Sequence, residues 1–231
     1  MSLDDMMDTA DARTLNMAGN SFADRGMWND AIECYERSRA RYVQTGDRRG
    51  EALVLNNLGA TSYAIGDWDA ALVYYRDALA ALRVQGERET ELLTLMNICF
   101  LHYAQGGAPQ AELDRAQRLA EELGQEDPLT KIYWMRGDTA FREAKDLALA
   151  FHCYALACLH AGRAGNDLLD KTLSYVDEHN RVLMDRGQTL AAISFCDHLL
   201  EFGRAEGMSA AFLAQVQNKR SGIVAPPLLG M

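Results

Sequence analysis

The residue types that most often do chemistry, histidine and cysteine, cluster once in this chain. The nitrogen and sulfur donors are His152, Cys153, Cys158 and His160. All four fall on one predicted helix. Cys153 and Cys158 are five residues apart, which places them about 140° apart around the helix axis, so their side chains point away from each other. Because a zinc site needs its ligands to converge on one point, we predict neither a metal site nor a cofactor here.

No other arrangement in the sequence offers a reaction. The chain contains neither a Gly-x-Ser-x-Gly nucleophile motif nor a phosphate-binding glycine loop. His102 and His198 lie at core-facing or boundary positions of predicted helices, where packing is the more common role. Adjacent carboxylates such as Glu121-Glu122 are typical of solvated helix faces. We therefore expect a binding protein that is not an enzyme.

Composition and charge narrow the class of partner. The 231 residues are 48% hydrophobic with only 4 prolines, which favours a folded helical chain, and the net charge of −10 disfavours nucleic-acid binding.

No apolar run reaches the roughly 18 residues of a membrane helix. The acidic residues 1–5 do not resemble a secretory signal. Five cysteines on apolar segments predict buried, reduced thiols in a cytoplasmic protein.

A period of about 40 residues runs through the chain. Five alanines, each about five residues after a turn, mark it: Ala31, Ala71, Ala111, Ala150 and Ala192. A period of this length indicates one supersecondary unit used repeatedly, and such units stack into a solenoid.

Each unit is predicted to be two helices joined by a tight turn. In residues 53–82, one apolar stripe ends at Gly66 and a second begins at Trp68, with spacings that fit 3.6 residues per turn. Because the connection is short, the two helices must run antiparallel, with Gly59 and Ala71 small where they come closest. The sequence therefore predicts an all-α chain of five hairpins, followed by a capping helix over residues 207–220.

The second unit also carries a recognisable series of motif residues. They are Leu58-Gly59, Ser62-Tyr63, Gly66-Asp67-Trp68, Ala70-Ala71, Tyr74-Tyr75 and Ala78-Leu79. This series resembles a tetratricopeptide repeat, and the period resembles the long-repeat variety found in kinesin light chains and in bacterial peptide-sensing regulators. The resemblance covers residues 10–206. It implies a right-handed α-solenoid in which the first helix of each hairpin lines a concave groove.

On this basis we expect one superhelical domain over residues 10–221. Its five repeats lie near residues 10–46, 47–86, 87–124, 127–163 and 166–206, and the cap helix follows them. The last segment, 222–231, contains adjacent prolines and is predicted to be extended. Two interpretations of this tail stay open: a disordered end, or a segment that docks into a groove.

The candidate binding site lies on the first helices, on the side turned away from their partner helices. Asn57 and Asn97 lie there one period apart, and an amide can both donate to and accept from a peptide backbone. The resemblance implies the same role for Asn57, which precedes the leucine–glycine pair. Aromatic residues would form pockets and basic residues would bind carboxylates at the rim. The predicted set is Arg13, Asn20, Asn57, Tyr63, Asn97, Phe100, Tyr103, Lys131, Trp134, Arg142 and Arg181.

The same residues also permit internal roles. The asparagines can bond between neighbouring helices, the stack can close off the aromatic side chains, and the charges can form exposed pairs worth about 0.2–1 kcal/mol. Our leading hypothesis is a cytoplasmic scaffold that binds a protein or peptide segment in the groove. The alternatives are a sensory or oligomerisation domain of a bacterial transcription regulator, and a self-associating structural module that forms a homodimer.

Overall fold

The computed structural model describes residues 10–82, 86–107, 109–142, 146–165 and 168–223. Within these ranges the chain is all-α, as predicted, and none of the helices is long and apolar enough to cross a bilayer. The eleven helices of these ranges are α1 (Ala12–Asp24), α2 (Trp28–Thr45), α3 (Arg48–Ala64), α4 (Trp68–Leu82), α5 (Arg88–Ala104), α6 (Gln110–Leu123), α7 (Glu126–Arg142), α8 (Leu147–Ala164), α9 (Leu168–Asp185), α10 (Thr189–Ala205) and α11 (Ala210–Ser221).

The internal contacts divide the chain into two compact units, Met1–Leu119 and Ala120–Met231. In the first unit α1 packs on α2 and α3 packs on α4, while the first helices α1, α3 and α5 lie side by side. In the second unit α7 packs on α8, α9 and α10 both contact α8, and α11 covers α10. Both units are thus built from stacked helical hairpins.

Local sequence explains where the helices begin and reverse. Five helices start after a residue whose side chain accepts a hydrogen bond from the backbone N–H three positions on: Asp11, Asp47, Asp67, Asp146 and Ser209. Between α3 and α4, Gly66 has a φ of 86°, and the N–H of Asp67 donates to the carbonyl of Ser62 at 2.9 Å. This left-handed glycine ends α3 and turns the chain back, as the sequence predicted.

A tyrosine ring occupies the space that a glycine leaves open in three hairpins. The pairs are Gly19–Tyr35, Gly59–Tyr75 and Gly137–Tyr154, in which an added Cβ would lie 2.5, 2.6 and 2.9 Å from the ring. These distances leave no room for any side chain, so the first helix needs glycine there for the ring of the second helix to pack against it. The sequence predicted that the two helices come close at Gly59, but it did not predict that the Tyr75 ring packs there.

The third hairpin departs from the predicted register. Ala71 is the fourth residue of α4 and is fully buried, whereas Ala111 is exposed and Leu113, only 2% exposed, is the fourth residue of α6. The N–H of Leu113 donates to the carbonyl of Pro109 at 2.9 Å, just as Ala71 donates to Asp67 at 3.0 Å. The assignment of Ala111 was wrong because the chain between α5 and α6 is two residues longer than that between α3 and α4.

All five cysteines lie in the described residues and are buried free thiols, which confirms their predicted burial. Cys158 lies in the core of the second unit, where burial raises the pKa of its thiol to about 12. A thiol with so high a pKa stays protonated and unreactive at neutral pH.

The predicted C-terminal tail falls mostly outside the described residues. Gly222 caps α11 and Ile223 packs against the core of the second unit. Residues 224–231, including the paired prolines, lie beyond the described part of the chain, so the two interpretations of the tail stay predictions.

Candidate functional site

In the first unit, three stripes of residues lie on one side of α1, α3 and α5 and form what we call the α1–α3–α5 face. Residues spaced i, i+4, i+7 and i+11 share one side of a helix, and contacts place the three helices next to each other. The stripes are Arg13-Met17-Asn20-Asp24, Leu53-Asn57-Ala60-Ala64 and Leu93-Asn97-Phe100-Ala104.

A ladder of asparagine side chains joins the helices of this face. The Nδ2 of Asn57 donates to the Oδ1 of Asn16 at 2.9 Å and to that of Asn20 at 3.1 Å. One repeat further on, the Nδ2 of Asn97 donates to the Oδ1 of Asn56 at 3.0 Å. Both amide hydrogens of Asn57 are therefore used between helices. A role for Asn57 toward a bound backbone stays a prediction, and it now concerns only its amide oxygen.

Tyr35 adds a hydroxyl to the ladder. Its ring packs over Gly19, and the hydroxyl donates to the Oδ1 of Asn20 at 2.8 Å. Burial, followed by the nearby charge of Asp24, raises the pKa of Tyr35 to about 12, so the hydroxyl remains a donor at neutral pH. This bond was not predicted from the sequence. The available signal was that Tyr35 follows Gly19 at the same distance as Tyr75 follows Gly59.

The face also carries exposed apolar side chains. Met17 is 61% exposed, Leu93 is 50% exposed and Leu53 is 36% exposed. Of the predicted aromatic residues, Tyr63 is 41% exposed, while Phe100 and Tyr103 are half-buried. The most accessible apolar surface of the face is thus aliphatic rather than aromatic.

Four predicted site residues lie in the second unit, on α7 and α9. The Nζ of Lys131 lies 2.7 Å from the Oδ2 of Asp127, and the Nε of Arg142 lies 2.7 Å from the Oδ2 of Asp138. Both cations therefore pair within their own helix, as the alternative interpretation of the charges allowed. Arg181 is exposed.

Trp134, the fourth of these residues, packs on another aromatic side chain. It is half-buried, and its ring centroid lies 4.9 Å from that of Tyr175 on α9. Tyr175 is itself 39% exposed. This pair spans two neighbouring first helices of the second unit, so the tryptophan serves the packing of α7 against α9.

A buried polar network joins α7, α8 and α9. The Nε2 of His179 lies 2.8 Å from the hydroxyl of Tyr154 and 3.1 Å from the Oδ1 of Asp138, while its Nδ1 donates to the carbonyl of Tyr175 at 2.6 Å. Asp138, Tyr154 and His179 are each less than a tenth exposed. These buried hydrogen bonds connect the three helices and contribute to their packing. The only signal for this network in the sequence was that Tyr154 follows Gly137.

The histidine and cysteine cluster on α8 is dispersed by packing. The Nδ1 of His160 lies 2.5 Å from the Oε2 of Glu126, and its ring stacks on that of Tyr133. Cys153 and Cys158 are buried in the core. In the part of the chain that the structure describes, no three His, Cys, Asp or Glu side chains are grouped so that they could hold a metal ion.

Comparison with known families agrees with this architecture in the first two hairpins. Residues 10–83, which contain α1 to α4, match the family model of the tetratricopeptide repeat. The resemblance drawn from their motif residues is therefore confirmed there, and tetratricopeptide repeats as a class bind protein partners.

Nearly the whole chain is similar in fold to a solved structure. The crystal structure of aspartyl phosphate phosphatase F from Bacillus subtilis matches with a TM-score of 0.64 and 12% sequence identity, over 95% of this chain and 63% of that one. This chain thus spans less than two thirds of the length of that protein. At such low identity the likeness shows a shared helical-repeat fold. No curated protein matches the chain.

Proposed function

We propose that this chain is a non-catalytic protein-interaction scaffold, and that its first unit binds a protein or peptide segment on the α1–α3–α5 face. One observation carries the proposal. Leu53 and Leu93 occupy equivalent positions of two adjacent helices, and both side chains remain exposed beside the asparagine ladder. Aliphatic side chains that stay in water on a rigid support are typical of binding surfaces.

The chemistry of the face indicates the kind of segment that it accepts. Met17, Leu53 and Leu93 offer aliphatic contacts, and burying apolar area is worth about 25 cal/mol per Å². The ladder between them is neutral and already bonded. We therefore expect a segment with apolar side chains rather than an acidic one held by a cluster of cations.

Site-specific photo-crosslinking tests this assignment. A benzophenone amino acid placed at Leu93 should capture a protein from cell lysate, whereas the same group at Val73 should not. Val73 is a suitable control because it is 57% exposed on α4, outside the face. Combining Leu53→Asp with Leu93→Asp should abolish the capture, and Val73→Asp should leave it intact.

Two results would contradict or redirect the proposal. Equal capture from positions 73 and 93, or capture that survives the double aspartate substitution, would show that the face is not the binding surface. Capture of a second copy of this chain, with a mass that doubles in sedimentation experiments as the concentration rises, would favour the self-associating module.

A further inference from the structure

The three tyrosines that pack over glycines differ in what their hydroxyls contact. The hydroxyl of Tyr35 donates to Asn20, the residue after Gly19, and also interacts with Thr61 of the next first helix. The hydroxyl of Tyr154 bonds to His179 of the next first helix in the second unit. Polar partners thus surround two of the three hydroxyls.

Tyr75 has the same placement but lacks these partners. Its CZ carbon, which bears the hydroxyl, would lie 3.0 Å from a Cβ on Gly59, the same distance as the CZ of Tyr35 from a Cβ on Gly19. The residue after Gly59 is Ala60, and the position that corresponds to Thr61 one repeat later is Leu101. Within the described ranges, the Tyr75 hydroxyl forms no hydrogen bond.

This hydroxyl nevertheless lies at the α1–α3–α5 face. The Tyr75 side chain is only 3% exposed, but its hydroxyl oxygen is not completely buried. Ala60, which follows Gly59, is an exposed residue of the α3 stripe of the face. Burial, followed by the nearby Tyr63, raises the pKa of Tyr75 to about 12. The group is therefore a protonated donor at neutral pH.

Resting on the function proposed above, we propose that the Tyr75 hydroxyl donates a hydrogen bond to a main-chain carbonyl of the bound segment. A backbone carbonyl is a neutral acceptor that is present in any segment, so it suits a neutral hydroxyl donor that forms no bond within the chain. Leu53 and Ala60 are separated by about 10 Å along α3, at 1.5 Å per residue. An extended chain spans this distance with about three residues, so the bonded carbonyl would lie about three residues from the apolar side chain that contacts Leu53.

Unfolding measurements without any ligand test the first premise. Tyr35→Phe should lower the urea midpoint because it removes the bond to Asn20, whereas Tyr75→Phe should leave the midpoint unchanged. Ala60→Asn should raise the midpoint, because it supplies the partner that Asn20 gives to Tyr35. If Tyr75→Phe lowered the midpoint as much as Tyr35→Phe, the hydroxyl would have an internal partner and the inference would be overturned.

Binding measurements test the second premise. The probe is a peptide selected on the intact wild-type chain from a phage-displayed random library. Tyr75→Phe should weaken its binding roughly three- to tenfold, as expected for one net hydrogen bond, and Ala60→Asn should weaken it while stabilising the fold. Such opposite effects on affinity and stability are not expected of a purely structural tyrosine.

The two proposals fail in different ways. If Leu53→Asp with Leu93→Asp abolished peptide binding but Tyr75→Phe bound as well as wild type, the binding face would stand and the role of the Tyr75 hydroxyl would be refuted. If no selected peptide depended on the two leucines, the proposed function itself would be refuted.

Discussion

A single added methyl group should have opposite effects at two helical glycines. At Gly59 an added Cβ would lie 2.6 Å from the ring of Tyr75, whereas at Gly162 it would meet only the end of the Met208 side chain, at 3.7 Å. Alanine is favoured over glycine inside a helix by about 1 kcal/mol. Overpacking costs about 1–3 kcal/mol, and since Tyr75 is 3% exposed, its ring has little room to move. We therefore expect Gly59→Ala to destabilise by up to about 2 kcal/mol and Gly162→Ala to stabilise by up to about 1 kcal/mol.

Urea unfolding followed by far-UV circular dichroism measures both effects. The decisive comparison is the sign of the midpoint shift, which does not depend on long extrapolation to zero denaturant. A third variant, Gly19→Ala, repeats the test in the first hairpin, where the added Cβ would lie 2.5 Å from Tyr35. If Gly59→Ala and Gly19→Ala both raised the midpoint as Gly162→Ala does, the close packing of tyrosine on glycine would be refuted.

Three further predictions concern the ladder, the register of the third hairpin and the alkaline limit of stability. Asn57→Ala should lower the free energy of unfolding by about 1–2 kcal/mol, because it removes two partly exposed hydrogen bonds. If the effects of Asn57→Ala and Asn16→Ala were fully additive in a double-mutant cycle measured by urea unfolding, the hydrogen bond between the two residues would be contradicted. Leu113→Asp should unfold the first unit, as measured by circular dichroism, whereas Ala111→Asp should be tolerated. If both substitutions lowered the helical signal equally, the register predicted from Ala111 would be supported instead. Because burial raises the pKa of Tyr75 from 10.0 to about 12, its contribution to stability is complete below pH 10 and is lost as the pH rises toward 12. This loss amounts to about 2–3 kcal/mol. The urea midpoint of Tyr75→Phe should therefore fall less steeply between pH 10 and pH 12 than that of the wild type. If both fell equally steeply, the raised pKa of Tyr75 would be contradicted.

The sequence predicted the helices and their reversals well because both depend on local interactions. Apolar stripes at 3.6-residue spacing and the left-handed Gly66 determine α3, α4 and the turn between them without reference to distant residues. The same reasoning failed at Ala111, because a turn two residues longer shifts every later position of that hairpin. A regular period in the alanines concealed this insertion.

The candidate site was only partly predictable, since a helical stripe fixes the direction of a side chain but not its neighbour. The stripe placed Asn57 and Asn97 at equivalent positions of α3 and α5, yet their bonding to other asparagines depends on how closely α1, α3 and α5 approach each other. Lys131 differs, because its partner Asp127 lies four residues earlier on the same helix, a spacing that is visible in the sequence. Placement within a repeat can be inferred from sequence, whereas pairing between repeats needs coordinates.

The neutral character of the asparagine ladder has a consequence for how this surface responds to its ionic environment. Added salt weakens associations that depend on opposite charges, since mobile ions screen them beyond about 10 Å at moderate ionic strength. Amide bonds and aliphatic contacts are not screened in this way, and the chain as a whole carries a net charge of −10 that repels acidic partners. An association built on this face would therefore persist, and for an acidic partner would tighten, as the electrolyte concentration rises.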